Sequence, residues 1–165
     1  SLLSQPGGKP YGAFSWGDTR FVILDCGEDK PDDQPVYYGL NDFSAFRQQQ
    51  YDFLKEEKKS RDFKSANRRV LVNHIPLWGN DDKYQPSSEL WTPLLKEGSF
   101  DIGLSGHTHR FRYHPAEDVS NPFPICIGGA PNVSSATMMV LSKKGNSLSL
   151  RVLNAKGEEL GAWSL

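Results

Sequence analysis

Val70-Leu71-Val72-Asn73-His74-Ile75-Pro76 is an apolar run that ends in a polar pair and a proline. Residues Arg69 to Asn73 read as a short strand buried on both faces, the kind found in mostly parallel sheets. His74 then stands at the carboxyl end of that strand, where open α/β sheets place their ligand sites. Further along, Asp101 to Ser105 reads as a second such strand and delivers Gly106-His107-Thr108-His109. In extended chain alternate side chains share a face, so His107 and His109 would point the same way, roughly 6–7 Å apart at Cα. That spacing suits two metal ions about 3.5–4 Å apart, each taking one imidazole. Neutral imidazole is the commonest protein metal ligand. The competing interpretation is a solvated His-Thr-His turn plus one hydrogen-bonded histidine.

Working outward, residues 1–9 contain Pro6 and Gly7-Gly8 and are expected to lack regular structure. Tyr11 to Trp16 and Arg20 to Cys26 read as strands joined at a Gly17-Asp18 turn. Gly27 to Gly39 is a loop rich in Asp and Pro. Asp42 can cap a helix that carries Phe43, Phe46, Phe53 and Leu54 toward the core and fades near Ser60. Gly79 to Pro86 is a polar loop whose Asp81, Asp82 and Lys83 are expected to be solvated. A short helix follows near Ser87 to Lys96, with Pro93 inside it and Gly98 as its stop. Arg110 to His114, Phe123 to Gly128, Ala136 to Ser142, Leu148 to Asn154 and Glu159 to Trp163 read as further strands. Strand–helix–strand followed by hairpins implies an α/β domain with a mixed or antiparallel second sheet.

The 165 residues suit one domain, 1–165, and carry a net charge of −1, so no global field recruits nucleic acid or an anionic membrane. No apolar run approaches 18 residues, so no membrane-spanning helix is expected. Cys26 and Cys126 are read as buried free thiols, and neither belongs to a Cys-x-x-Cys pair. His114 is read as a surface histidine. Nothing in the sequence fixes a localisation.

Leu71-Val-Asn-His74-Ile-Pro76 followed by Ser105-Gly-His107-Thr-His109 resembles the last two signature motifs of the calcineurin-like metallophosphoesterases, in particular the purple acid phosphatase branch. Tyr11-Gly-Ala-Phe-Ser-Trp-Gly17, Arg20-Phe-Val-Ile-Leu-Asp25 and Phe46-Arg-Gln-Gln-Gln50-Tyr-Asp-Phe-Leu54 are similar to that branch as well. The resemblance implies a two-sheet sandwich flanked by helices, a mixed sheet with C-terminal antiparallel strands. It implies hydrolysis of phosphate mono- or diesters at a dinuclear centre of iron, zinc or manganese. His74, His107 and His109 match the family's metal ligands: His74 and His107 on one ion, His109 on the other. Asn73 and Ser105 are expected either to orient imidazoles or simply to cap their strand ends. Gly106 would let backbone approach the metals, and Trp78 would either line the substrate side of the site or pack within its own loop.

The departures matter as much. The family's Asp-x-His or Asp-x-Gly, Gly-Asp-x-x-Asp or Gly-Asp-x-x-Tyr, and Gly-Asn-His motifs do not occur in this sequence. The chain therefore resembles the C-terminal half of such an enzyme. It is expected to be inactive alone and to bind metal weakly, with the N-terminal half as its partner. A surface near Leu71, Ile75, Leu77 and Leu104 would be left bare and would favour a homodimer. The competing functional reading is a non-catalytic metal-binding or interaction module.

Overall fold

A computed structural model describes residues 8–81, 84–130 and 132–165. The expectations for residues 1–7 and for Asp82 and Lys83 lie outside the described residues. Strands β1 (Gly12–Trp16) and β2 (Thr19–Leu24) form a hairpin whose turn is Gly17-Asp18, with Gly17 at φ +61°. Helix α1 (Phe43–Glu57) follows, then α2 (Arg61–Ser65), β3 (Arg68–Asn73), α3 (Pro86–Glu97) and β4 (Ile102–Ser105). Strands β5 (Arg112–His114), β6 (Ile125–Ile127), β7 (Thr137–Lys144), β8 (Ser147–Asn154) and β9 (Glu159–Ser164) complete the chain.

Six strands form a mixed sheet in the order β1-β2-β3-β4-β6-β5. Strands β2, β3, β4 and β6 run parallel, and the outer strands β1 and β5 are antiparallel to their neighbours. Alternation along the strands sends Val22, Leu24 and Leu71 to a core shared with Leu54, Phe63, Trp91 and Leu95 of the helices. The opposite face carries Val70, Ile102 and Cys126, which meet Leu148, Leu150 and Val152 of β8. Those three leucine and valine side chains come from alternate positions, so the antiparallel meander β7-β8-β9 presents one apolar face. Trp163 on β9 stacks on Tyr113 of β5 with ring centroids 4.0 Å apart.

The expected bare surface is placed differently. β3 and β4 pair with each other and are flanked by β2 and β6, so neither is an edge. Leu71, Ile75 and Leu77 are buried in the helix-side core. Leu104 faces the meander and is only half-buried. What stays open is a groove of about 500 Å³ beside β7, where Phe14 and Phe21 stack at 4.9 Å and Trp16 is 78% exposed.

Helix α1 also departs from expectation. Asp42 caps it, accepting from the Ala45 N–H at 3.2 Å. Of Phe43, Phe46, Phe53 and Leu54, only Leu54 is fully buried; the aromatics are half-buried, two of them around Tyr11. The buried stripe is instead Arg47, Gln50, Leu54 and Glu57, at helical spacing. Its polar members have work to do. Gln50 accepts from the Asp25 N–H at 2.7 Å and donates to the Asp25 carbonyl at 2.6 Å. Arg47 donates to the carbonyls of Cys26 at 2.9 Å and Glu28 at 3.0 Å. The helix thereby holds the loop that leaves β2. Beyond Glu57 the chain does not simply fade: Ser60 accepts from the Phe63 N–H at 3.0 Å and starts α2, which buries Phe63.

Cys26 and Cys126 are free and buried. Burial pushes the Cys26 thiol up to about 11 and the Cys126 thiol up to about 12, from an ordinary 9.0. The folded state thus holds both protons more tightly than the unfolded state. Stability from this source is complete below pH 9.0 and is lost as pH rises through about 11 and 12. Urea midpoints are expected to hold steady up to pH 8.5 and to fall above pH 9, and Cys26→Ala/Cys126→Ala is expected to flatten that fall. An unchanged slope in the double variant would place its origin elsewhere.

Candidate metal centre

The carboxyl ends of three parallel strands come together because their registers match: Leu24 lies opposite Asn73, and Val72 opposite Leu104. Asp25, His74 and Gly106 therefore leave the sheet at one level. The Gly106 N–H donates to the His74 carbonyl at 3.0 Å and ties the two motif segments together. Asn73, buried, donates its side-chain amide to the Ile75 carbonyl and closes the turn after His74. It thus stabilises the strand end and makes no contact with an imidazole. Ser105 acts through its backbone, accepting from the Gly128 N–H at 2.8 Å.

β4 ends at Ser105, so the alternation argument for His107 and His109 does not hold. The Thr108 N–H donates back to the Gly106 carbonyl at 2.7 Å, and His107 between them sits at φ +65°. This is a γ-turn, a strained conformation for a residue with a side chain. His109 is also left-handed, at φ +58°. Two non-glycine residues in this region within three positions store about 1–3 kcal/mol each, and such strain concentrates at ligand sites.

The result brings two of the three histidines together. The His74 and His107 rings meet edge to face, 5.3 Å between centroids at 86°. His74 and His109 are exposed and His107 is half-buried. A Cβ at residue 106 would project to 3.7 Å from His74 Nδ1, so glycine keeps the space before that nitrogen open. A groove of about 550 Å³ runs along these strand ends, lined by Asp25, Asn73, His74, Ser105, Gly106 and Met139.

A third group, which the sequence reading missed, joins these two histidines. Asp29, on the loop after β2, places Oδ2 at 3.3 Å from His107 Nε2. Its other oxygen pairs with Lys30 Nζ at 2.5 Å. The Lys30 ammonium first, and His107 after it, hold the Asp29 carboxyl below its usual range, against the opposing effect of burial. No spacing rule links Asp29 to His107; only the acidic character of the loop hints at it.

Trp78 takes the packing role of its two expected ones, and His114 sits otherwise than expected. Trp78 is buried, its ring edge-on to Phe123 at 5.6 Å, so it is mainly a core residue. Its rim lines a separate cavity of about 560 Å³ with Arg112 and His114. His114 is not a free surface histidine: its Nδ1 meets Asp118 Oδ2 at 2.7 Å, and its Nε2 is buried against Gly79 without a hydrogen-bond partner. The chain at Gly79, in the loop after β3, lies over that ring.

Among the described residues, no three His, Cys, Asp or Glu side chains converge closely enough to enclose a metal ion. His74, His107 and the space before Gly106 fit one flank of a metal centre, with imidazole donors suited to iron, zinc and similar ions. The remaining donors are not supplied by these residues.

Comparison with known proteins follows the same line. The family model for calcineurin-like phosphoesterases matches residues 7–111. No curated protein matches the chain. GAP50, described as the anchor in the inner membrane complex of Plasmodium, aligns with TM-score 0.58 at 16% identity, over 94% of this chain and 52% of that one. The chain therefore spans about half the length of that structure. Vps29 of Entamoeba histolytica, solved with Zn²⁺, aligns at 10% identity over 98% of this chain and 62% of that one, with a TM-score of only 0.41.

Proposed function

The chain belongs to the calcineurin-like phosphoesterase family, and on that premise we propose that it supplies the histidine flank of a dinuclear metal centre that hydrolyses phosphate mono- or diesters. The observation behind this reading is the His74–His107 pair at the carboxyl ends of β3 and β4, joined by the Gly106 N–H to His74 carbonyl bond. Members of the family bind divalent metals, and iron, zinc or manganese are the ions proposed here. When bound, such ions polarise a phosphoryl oxygen and generate hydroxide at neutral pH. His74 and His107 would hold one ion without cancelling its charge, and His109 would turn inward to hold the other. Asn73 and Gly106 keep the two motif segments in place. Gly106 also leaves room in front of His74.

Three imidazoles shared between two ions leave each short of the three protein ligands usual for a catalytic zinc. The partner this reading requires is the rest of the phosphoesterase domain, from sequence beyond these 165 residues, with a phosphate ester as substrate. The groove beside β7 is where added strands, or a second copy, would cover Phe14 and Phe21. The chain alone is expected to show no turnover of p-nitrophenyl phosphate. Extended by its natural upstream sequence, it is expected to turn over, and His107→Ala is expected to lower that rate by more than about 100-fold. Outer partners of metal ligands alone are worth about 10–100-fold.

The second reading, a non-catalytic metal-binding or interaction module, has its own support. GAP50, which shares the fold, is described as an anchor. A folded, metal-loaded, extended protein that hydrolyses neither mono- nor diesters would favour it.

A further inference from the structure

We propose that Asp29 is a positioning residue for His107, fixing which ring nitrogen that imidazole offers to a metal; the inference rests on the metal-centre reading above. The carboxylate faces Nε2 at 3.3 Å. A neutral imidazole with its proton on Nε2 satisfies that carboxylate and leaves the lone pair on Nδ1 free. Ligand histidines commonly give their second nitrogen to a carboxylate in this way, which sets both tautomer and ring orientation.

Both sides of the contact are built. On the ring side, His107 is held at φ +65° by the Thr108 N–H to Gly106 carbonyl bond. On the carboxylate side, the Asp29 side chain is only 19% exposed. The loop that carries it is clamped just before Asp29. Arg47, itself 2% exposed, holds the Cys26 and Glu28 carbonyls, and Gln50 holds both backbone groups of Asp25. The Gly27 N–H closes onto Asp25 Oδ1 at 2.8 Å and turns the chain toward the histidines. A Cβ at Gly27 would lie 2.3 Å from the Phe43 ring, so this turn needs glycine. Lys30 takes Oδ1 and leaves Oδ2 for the imidazole. Arg47, Gln50 and Gly27 thus act on the site at one remove, which explains why a core-facing stripe of α1 is polar.

The test uses the whole chain, ¹⁵N-labelled at histidine, with Co²⁺ alone as the metal probe. Two-bond ¹⁵N–¹H correlations report the tautomer of each ring. The wild-type protein is expected to show His107 protonated on Nε2. Asp29→Ala is expected to give mixed tautomers and to raise the Co²⁺ midpoint, read from broadening of the His74 and His107 signals, by about tenfold. Asp29→Glu is expected to restore much of both. Asp29→Asn, which keeps size and removes charge, serves as the second variant should Asp29→Ala lose its native backbone spectrum. If His107→Ala abolishes the Co²⁺ response while the Asp29 variants change neither tautomer nor midpoint, the positioning role is overturned and the metal centre stands. If His107→Ala leaves the Co²⁺ response intact, the metal reading fails, and an unchanged tautomer in the Asp29 variants would overturn the contact separately.

Discussion

Trp91→Ala is expected to destabilise the domain by about 3–5 kcal/mol, the cost of emptying a fully buried aromatic site. Trp91 is 0% exposed and sits on α3 against the face of the mixed sheet, among Leu54, Leu95 and Phe100. Its indole N–H donates to the Arg47 carbonyl at 3.1 Å, and so links α3 to α1. The loss therefore falls on both helices and, through Arg47, on the loop that carries Asp29. Urea unfolding should show a lower midpoint with the slope m unchanged. Trp91→Phe keeps most of the volume and should cost much less. Equal losses for the two variants would mean that the hydrogen bond, rather than the packing, carries the effect.

Glu57→Ala is expected to cost about 3 kcal/mol, from the low end of the range for breaking a buried pair. Arg20 reaches Glu57 with two donors, Nε to Oε1 at 2.7 Å and Nη2 to Oε2 at 3.0 Å. Both side chains are at least nine-tenths covered. Removing the carboxylate leaves a buried guanidinium whose remaining partners among the described residues are Ser15 at 3.1 Å and the exposed Asp62 at 3.4 Å. Those contacts keep the cost at the low end. Arg20→Met/Glu57→Leu removes both charges and is expected to recover most of the loss, since a buried pair is often no better than an apolar pair of the same shape. A double variant as unstable as Glu57→Ala would show that the pair itself, and not the stranded charge, sets the cost.

The strands were legible where apolar residues run together or alternate. Arg69 to Asn73 and Leu148 to Asn154 lie within β3 and β8, with ends that shift by a residue or so. The hairpin at Gly17-Asp18 was legible because a positive φ there suits glycine. Helix α1 was legible from its cap, but its buried face was not. Arg47, Gln50 and Glu57 look solvent-facing in sequence and are buried only because backbone carbonyls and Arg20 wait for them in three dimensions. At the site, His74 and His107 were legible from strand ends. The left-handed turn that separates His107 from His109 was not, because strand alternation was carried two residues past Ser105. Asp29 could not be found from spacing, since 78 residues separate it from His107 and only the parallel register of β2, β3 and β4 brings them together.

The two sheets differ in how far apart along the chain their partners lie, and this bears on the order of assembly. β7, β8 and β9 pair through short local turns, while β2 and β3 join Thr19 to Arg68 across two helices. Hairpins close in about 1–10 μs, whereas long-range parallel pairing must first overcome loop-closure entropy and is slower. After dilution from denaturant the meander is therefore expected to form before the parallel pairs, with Leu148, Leu150 and Val152 facing water until the mixed sheet arrives. During synthesis the order is reversed. The strands of the mixed sheet leave the ribosome first, and at about 5–20 residues per second they have seconds to pair before the meander emerges onto a waiting surface. The meander follows the mixed sheet in the sequence, so its apolar face is expected to be shielded sooner during synthesis than during refolding of the finished chain.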